Sequence, residues 1–189
     1  MWLVVGLGNP GASYERTRHN AGFGVLGILA DRYGARFRRS WLGARGETAQ
    51  VRWRGVAVTL LRPLTFMNLS GEAVRPFLRR DGFTASELLL VYDDMDLPAG
   101  RLRLRAGGGS GGHRGVASVL ATVGSEDVAR VRLGIGRPGD GLDAAEYVLS
   151  AIPGSAWAAW DKCLAAAADA VEVVCADGLE AAMARFNGG

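Results

Sequence analysis

Cysteine is almost absent from this sequence of 189 residues: Cys163 and Cys175 are the only two, both in its C-terminal quarter. Two thiols are too few for a disulfide framework, which fits a reducing compartment. Histidine is as scarce, with His19 and His113 alone. No Cys/His cluster has metal-ligand spacing along the chain, so no metal is expected. No run approaches the roughly 18 apolar residues of a membrane span, so no membrane contact is expected either. Residues 1–7 lack a basic leading stretch and form too short an apolar run for a signal peptide. They read as a buried strand, and a cytoplasmic location is expected. Lysine is the last scarcity: 21 of the 22 basic residues are arginine.

What is present is an ordinary globular composition, 49% apolar and 22% charged, in a chain of one domain's length. A single domain over 1–189 is expected. The net charge of +3 is uneven: residues 1–149 carry +6 and residues 150–189 carry −3. Arginine binds phosphate in a two-pronged fork, so an arginine-rich body suits a nucleic-acid partner. The plainer reading is a solvated surface with a compositional bias, and composition alone favours it.

Apolar periodicity places strands at 2–7, 88–92, 100–105 and 130–136, and a hairpin at 48–53 and 56–62 around Arg54-Gly55. Helices are expected at 20–34, 68–80, 113–123, 155–175 and 178–186. Thr84-Ala-Ser-Glu87 has the form of a capping box. Strands interleaved with helices predict an α/β fold, a single three-layer αβα domain around a mixed, mostly parallel sheet.

Two glycine motifs invite other readings. Gly6-Leu-Gly-Asn-Pro-Gly11 follows a strand as a dinucleotide fingerprint does. Asp31, about 20 residues on, falls inside a helix, whereas a ribose-binding acid should end a strand. Pro10 also crowds the turn, so no nucleotide cofactor is expected. Gly108-Gly-Ser-Gly-Gly112 has the form of a nucleophile elbow, but the only histidine beyond Ser110 is His113, three residues away. A Ser-His-Asp triad therefore fails.

Three loops hold the chemistry: Asn9 to Asn20, Thr65 to Gly71, and Tyr92 to Pro98. Ligands gather at strand carboxyl ends in open α/β sheets. His19 can accept a proton near neutral pH, and Asp93 or Asp94 can fix its tautomer. Asn9 and Asn68 can donate amide N–H groups to a carbonyl or an oxyanion. Singly, each has a plainer reading as a cap, a turn residue or a packed side chain. Together, without a usable nucleophile or metal ligands, they form a kit for activating water. Beside them Arg101, Arg103 and Arg105 alternate with leucines and point to one face. The glycines of 107–112 then lead into a helix start, a combination that suits a phosphate.

With these residues the sequence resembles the bacterial peptidyl-tRNA hydrolase family. The resemblance runs through VGLGNPG at 5–11, TRHNAG at 17–22, TFMNLSG at 65–71, DDMDLP at 93–98, GGGSGGHRG at 107–115 and RVRLGIGRPGD at 130–140. It implies a monomeric, metal-free cytoplasmic esterase that cleaves the ester between a peptide and the tRNA 3′ ribose. It also implies that His19 is the catalytic histidine, Asp93 its partner acid, and Asn9 and Asn68 the substrate-positioning amides. Met67 would line the peptide groove, with Tyr14 and Phe66 in the substrate- or tRNA-binding set. Arg103, Arg105 and Arg132 would contact tRNA. Arg114 stands where the family often has Asn, and Tyr92 where some relatives have His. A non-catalytic RNA-binding relative, such as a chloroplast splicing factor of this family, is the rival reading; retention of His19, Asp93 and both asparagines disfavours it.

Overall fold

The structure, a computed structural model, describes residues 1–40, 45–139 and 141–188. Asp140, the last residue of the 130–140 motif, lies outside them. Seven strands form one sheet: β1 (Trp2–Gly6), β2 (Arg38–Arg39), β3 (Gly46–Trp53), β4 (Val56–Pro63), β5 (Leu88–Asp94), β6 (Leu102–Arg105) and β7 (Ala129–Gly134). Their order is β2-β3-β4-β1-β5-β7-β6. The central strands β4, β1, β5 and β7 run parallel, while β2, β3 and β6 add antiparallel edges. The predicted parallel character therefore belongs to the centre of the sheet.

The central strands read as continuous apolar runs because both faces are covered. Val4, Leu89 and Val91 pack toward α1 (Ala21–Arg32) and α5 (Trp157–Asp177). Leu3, Val5, Leu88 and Leu90 pack toward α2 (Ser70–Arg80) and α3 (Arg114–Val123). Three layers follow from this two-sided alternation. The edge of β6 is closed by Asn187, just after α6 (Leu179–Phe186), whose carboxamide accepts from Leu104 N at 2.8 Å and donates to Leu104 O at 3.0 Å. That pairing blunts an exposed edge.

Gly6 and Gly22 let α1 lie directly on the sheet. A Cβ on Gly6 would strike the Leu26 side chain and the Gly22 carbonyl, and one on Gly22 would meet the backbone of Leu7 and Val91. The glycine fingerprint thus serves helix–strand packing. Asp31 sits exposed within α1.

Expected elements recur with shifted ends. The hairpin turns on Arg54 and Gly55, both at positive φ (45° and 86°), the backbone that a two-residue hairpin demands. Helix 68–80 divides into a 3₁₀ turn, Met67–Leu69, and α2. The Thr84 capping box is real but caps only the short turn Ala85–Glu87. Beyond the expected set are the two-residue edge strand β2 and the short helix α4 (Ala144–Leu149). Its signal is legible: Asp143 caps the N–H groups of Ala145 and Glu146 at 2.8 and 3.2 Å.

Candidate active site

The parallel strands all end at one edge of the sheet, and the three loops meet there. A cleft of about 480 Å³ is lined by Asn9, Tyr14, His19, Phe66, Met67, Asn68, Asp93 and Arg114, together with residues of α4. Arg103, Arg105 and Arg132 do not line it.

His19 lies on the 3₁₀ turn Arg18–Asn20 that leads into α1. Its Nδ1 faces both oxygens of Asp93, at 3.0 and 3.1 Å. Asp93 is the penultimate residue of β5 and is only 2% exposed. Burial alone would push the Asp93 carboxyl up; the hydrogen bonds from His113 and His19 outweigh it and hold the carboxyl well below the usual carboxylate range. An ionised Asp93 can only accept, so His19 carries its proton on Nδ1 and leaves Nε2 as the basic atom. The choice between Asp93 and Asp94 is decided by geometry, since Asp94 instead accepts from Arg132 Nε at 2.7 Å.

Asn9 is 6% exposed and knits two loops together. Its Oδ1 accepts from Met67 N at 2.8 Å, while its backbone exchanges hydrogen bonds of 2.8 and 3.0 Å with the Asn20 carboxamide. With that oxygen engaged, the Asn9 Nδ2 is the group left to donate into the cleft. Asn68 is exposed and has no side-chain partner among the described residues. It does not cap α2, whose N-cap is Leu69. Both amides are therefore available as donors toward a developing oxyanion.

His19 is not the only histidine at these loops. His113 also lines the cleft, and its Nε2 lies 3.3 Å from Asp93 Oδ1. His19, Asp93 and His113 bring potential ligand atoms within 4.8 Å of one another, a cluster that spacing along the chain could not reveal. The hydrogen bonding is poorly suited to a cation. His113 Nδ1 accepts from Gly115 N and Val116 N, both at 3.2 Å, so the neutral ring holds its proton on Nε2 and offers no lone pair there.

The same hydrogen bonds change the expected phosphate nest. Two N–H groups at the start of α3 are occupied by the His113 ring rather than open to an anion. The glycine loop is also tied from behind: buried Arg130 donates to the carbonyls of Gly108, Gly109 and Glu126. Gly111, Gly112 and Arg114 remain on the cleft wall, and the exposed Arg114 side chain has no partner among the described residues.

Outside the cleft, β6 alternates as expected, with Leu102 and Leu104 buried and Arg103 and Arg105 exposed. Arg103 pairs in register with Arg132, and Arg105 with Arg130. Four arginines thus share one face of the edge strands, and Asp94 neutralises one of them.

The model of the peptidyl-tRNA hydrolase family matches residues 3–189. This chain belongs to the peptidyl-tRNA hydrolase family. It is 48% identical over 190 residues to the peptidyl-tRNA hydrolase of Chloroflexus aggregans, with 99% of each chain covered. It is 50% identical over 183 residues to that of Rubrobacter xylanophilus, covering 97% of this chain and 98% of the relative. The crystal structure of peptidyl-tRNA hydrolase from Acinetobacter baumannii matches with a TM-score of 0.92 at 34% identity, covering 100% of this chain and 95% of that one.

Within this family frame, sequence reasoning missed the far wall of the cleft. Ala144, Ala145, Val148 and Leu149 of α4 form it. The helix is held beside His19 by Arg18, which donates to Ser150 Oγ at 2.6 Å and lies over the Tyr147 ring at 4.4 Å. With Phe66 (62% exposed), Met67 and Met95, these residues give the cleft an apolar side opposite its polar dyad.

Proposed function

We propose that this member of the peptidyl-tRNA hydrolase family hydrolyses the ester between a peptide's C-terminus and the tRNA 3′ ribose, releasing tRNA and peptide. His19 Nε2 takes a proton from water as the water oxygen attacks the ester carbonyl carbon. Asp93 stabilises the imidazolium that results. Asn68 donates to the tetrahedral oxyanion, and Asn9 Nδ2 positions the substrate. The C–O bond to the ribose then breaks, and the imidazolium returns its proton to the leaving oxygen. The observation that carries this reading is the pairing of His19 with buried Asp93 in one cleft with two available carboxamides.

The apolar wall suits a peptide, with Tyr14, Phe66 and Met67 beside it. Free aminoacyl-tRNA has a charged amine in place of the acyl chain and is a poor substrate. Arg103, Arg105 and Arg114 take tRNA phosphates, while Arg132, shared with Asp94, adds to the same positive face. No metal takes part, because the water is activated by a base. The enzyme works in the cytoplasm as a monomer built of one domain; no helix among the described residues is long and apolar enough to cross a membrane.

The test is incubation with N-acetyl-aminoacyl-tRNA and with free aminoacyl-tRNA, each in excess EDTA. Release of tRNA from the blocked substrate, and little from the free one, is expected. Binding of both without cleavage would favour a non-catalytic RNA-binding role. Loss of activity in EDTA would overturn metal independence.

A further inference from the structure

We propose that His113 is a positioning residue for this hydrolysis, holding Asp93 against His19 through a proton that the start of α3 fixes on its Nε2. The inference rests on the hydrolytic reading above and assigns the second histidine of the cleft a role within it.

His113 is the N-cap of α3, at φ −74° and ψ 111°, and its ring accepts two of the helix's free N–H groups. A ring nitrogen that accepts cannot also bear the proton, so Nε2 is the donor. Asp93 Oδ1 receives that proton at 3.3 Å and His19 Nδ1–H at 3.0 Å. One carboxylate oxygen is thus gripped by two imidazoles, whose centroids are 4.9 Å apart. His113 cannot itself serve as the base, because its one basic nitrogen faces the helix.

Other groups around the ring keep this arrangement. Tyr92 lies edge-on at 5.0 Å, and burial pushes its hydroxyl up, so it stays neutral. His19 and Asp93 are the titratable groups on the other side. Arg114, exposed, is the next residue in the chain. Protonating Nδ1 would also turn it toward two N–H donors and uncap the helix. With Nδ1 accepting from the helix, His113 has one donor, aimed at Asp93. The donor also shares the carboxylate's charge, tempering the pull of Asp93 on the His19 proton.

Two variants separate the two jobs of this ring. His113→Asn keeps a good N-cap and removes the donor to Asp93. His113→Gln extends an amide toward Asp93 and loses the cap. In the intact protein, His113→Asn should lower kcat on the order of ten-fold with KM little changed, the scale of one charge-assisted hydrogen bond. Its acid limb in the pH–rate profile should move to higher pH, since Asp93 then acts undivided on His19. His113→Gln should recover much of that loss despite a lower Tm. ¹⁵N NMR of the wild-type imidazole should show a proton on Nε2 and none on Nδ1.

A His113→Asn enzyme with wild-type kcat and an unmoved acid limb would overturn the proposal, as would a proton on Nδ1. If both variants lose activity only in step with Tm, the ring is merely a cap and the proposal fails. Failure of the hydrolytic reading is seen separately, in the wild type, as absence of cleavage of N-acetyl-aminoacyl-tRNA.

Discussion

The carboxamide oxygen of Asn9 accepts the backbone N–H of Met67 at 2.8 Å, joining the loop after β1 to the loop after β4. One side chain therefore both builds the cleft and donates into it. Asn9→Ala should leave the buried Met67 N–H unpaired, costing about 1–3 kcal/mol of stability. The same change removes a substrate-facing donor, with a loss of about 10²–10³-fold in kcat/KM if it acts as an oxyanion-hole donor does. Thermal unfolding and steady-state kinetics read the two effects. A variant that loses stability but keeps kcat/KM would reduce Asn9 to a structural strut.

His19→Ala should lower kcat by about 10²–10⁴-fold, the range for a general base. Circular dichroism should show the fold retained, because the His19 ring caps nothing and lies at the cleft wall. Near-wild-type turnover by a folded variant would rule out base catalysis at this position.

Asp93→Asn should slow turnover and move the acid limb of the rate profile to lower pH, since a neutral amide no longer favours imidazolium. Stability has its own pH signature. The Asp93 carboxyl is held below its ordinary value of 3.8, so its ionised form favours the folded state. That contribution is complete above the unfolded value and is lost as pH falls below about 4 toward the native one. Chemical denaturation across pH 2–7 should therefore show the wild type's advantage over Asp93→Asn shrinking at the acid end. An advantage that grows there would reverse the assigned sign.

Alanine at both Arg103 and Arg105 should raise KM for tRNA substrates with kcat little changed. Both side chains are exposed, face away from the core, and have no partner among the described residues. Removing each arginine–phosphate pairing should flatten the salt dependence of binding by roughly one unit of slope. Short substrates without the tRNA body should be hydrolysed as before. Equal impairment of those substrates would assign the arginines to the fold or to the chemistry.

The parts of this site that are legible in sequence are those fixed by local pattern. Alternation along β6 places the arginine face, and the apolar run of β5 puts Asp93 at a strand end. The chain distance of His113 from Ser110 says nothing of how it meets Asp93, 20 residues away across a strand and a loop. Its ring caps a helix, a task that Ser, Thr, Asp or Asn normally performs, so no local signal marks it. The change at the expected phosphate nest is hidden for the same reason, since pattern reading cannot see that the capping ring takes two N–H groups of the helix start. The six residues of α4 carry too little periodicity to stand out, although Asp143 and Glu146 are a usable start signal.

Arg114 is the position where this chain departs from the common family pattern, and its surroundings narrow what it can do. Arginine offers donors and a fixed charge, so it cannot take a proton from water as the His19 imidazole does. The neighbouring N–H groups of Gly115 and Val116 are already given to His113, so the helix start alone does not hold an anion. What remains for a phosphate is the Arg114 side chain itself, exposed on the cleft wall opposite no described carboxylate partner. Arg114→Asn should then weaken tRNA binding, more at low salt than at high salt, because the pairing it removes is largely one of charge and is screened by ions. The single-turnover rate at saturating substrate should stay near wild type, since the His19–Asp93 pair and both donor amides are untouched. Binding titrations at several salt concentrations and rapid-quench single turnovers read the two quantities independently. A large fall in the saturated rate would move Arg114 into the chemical step, and unchanged affinity at every salt concentration would leave it a solvated side chain on the first turn of α3.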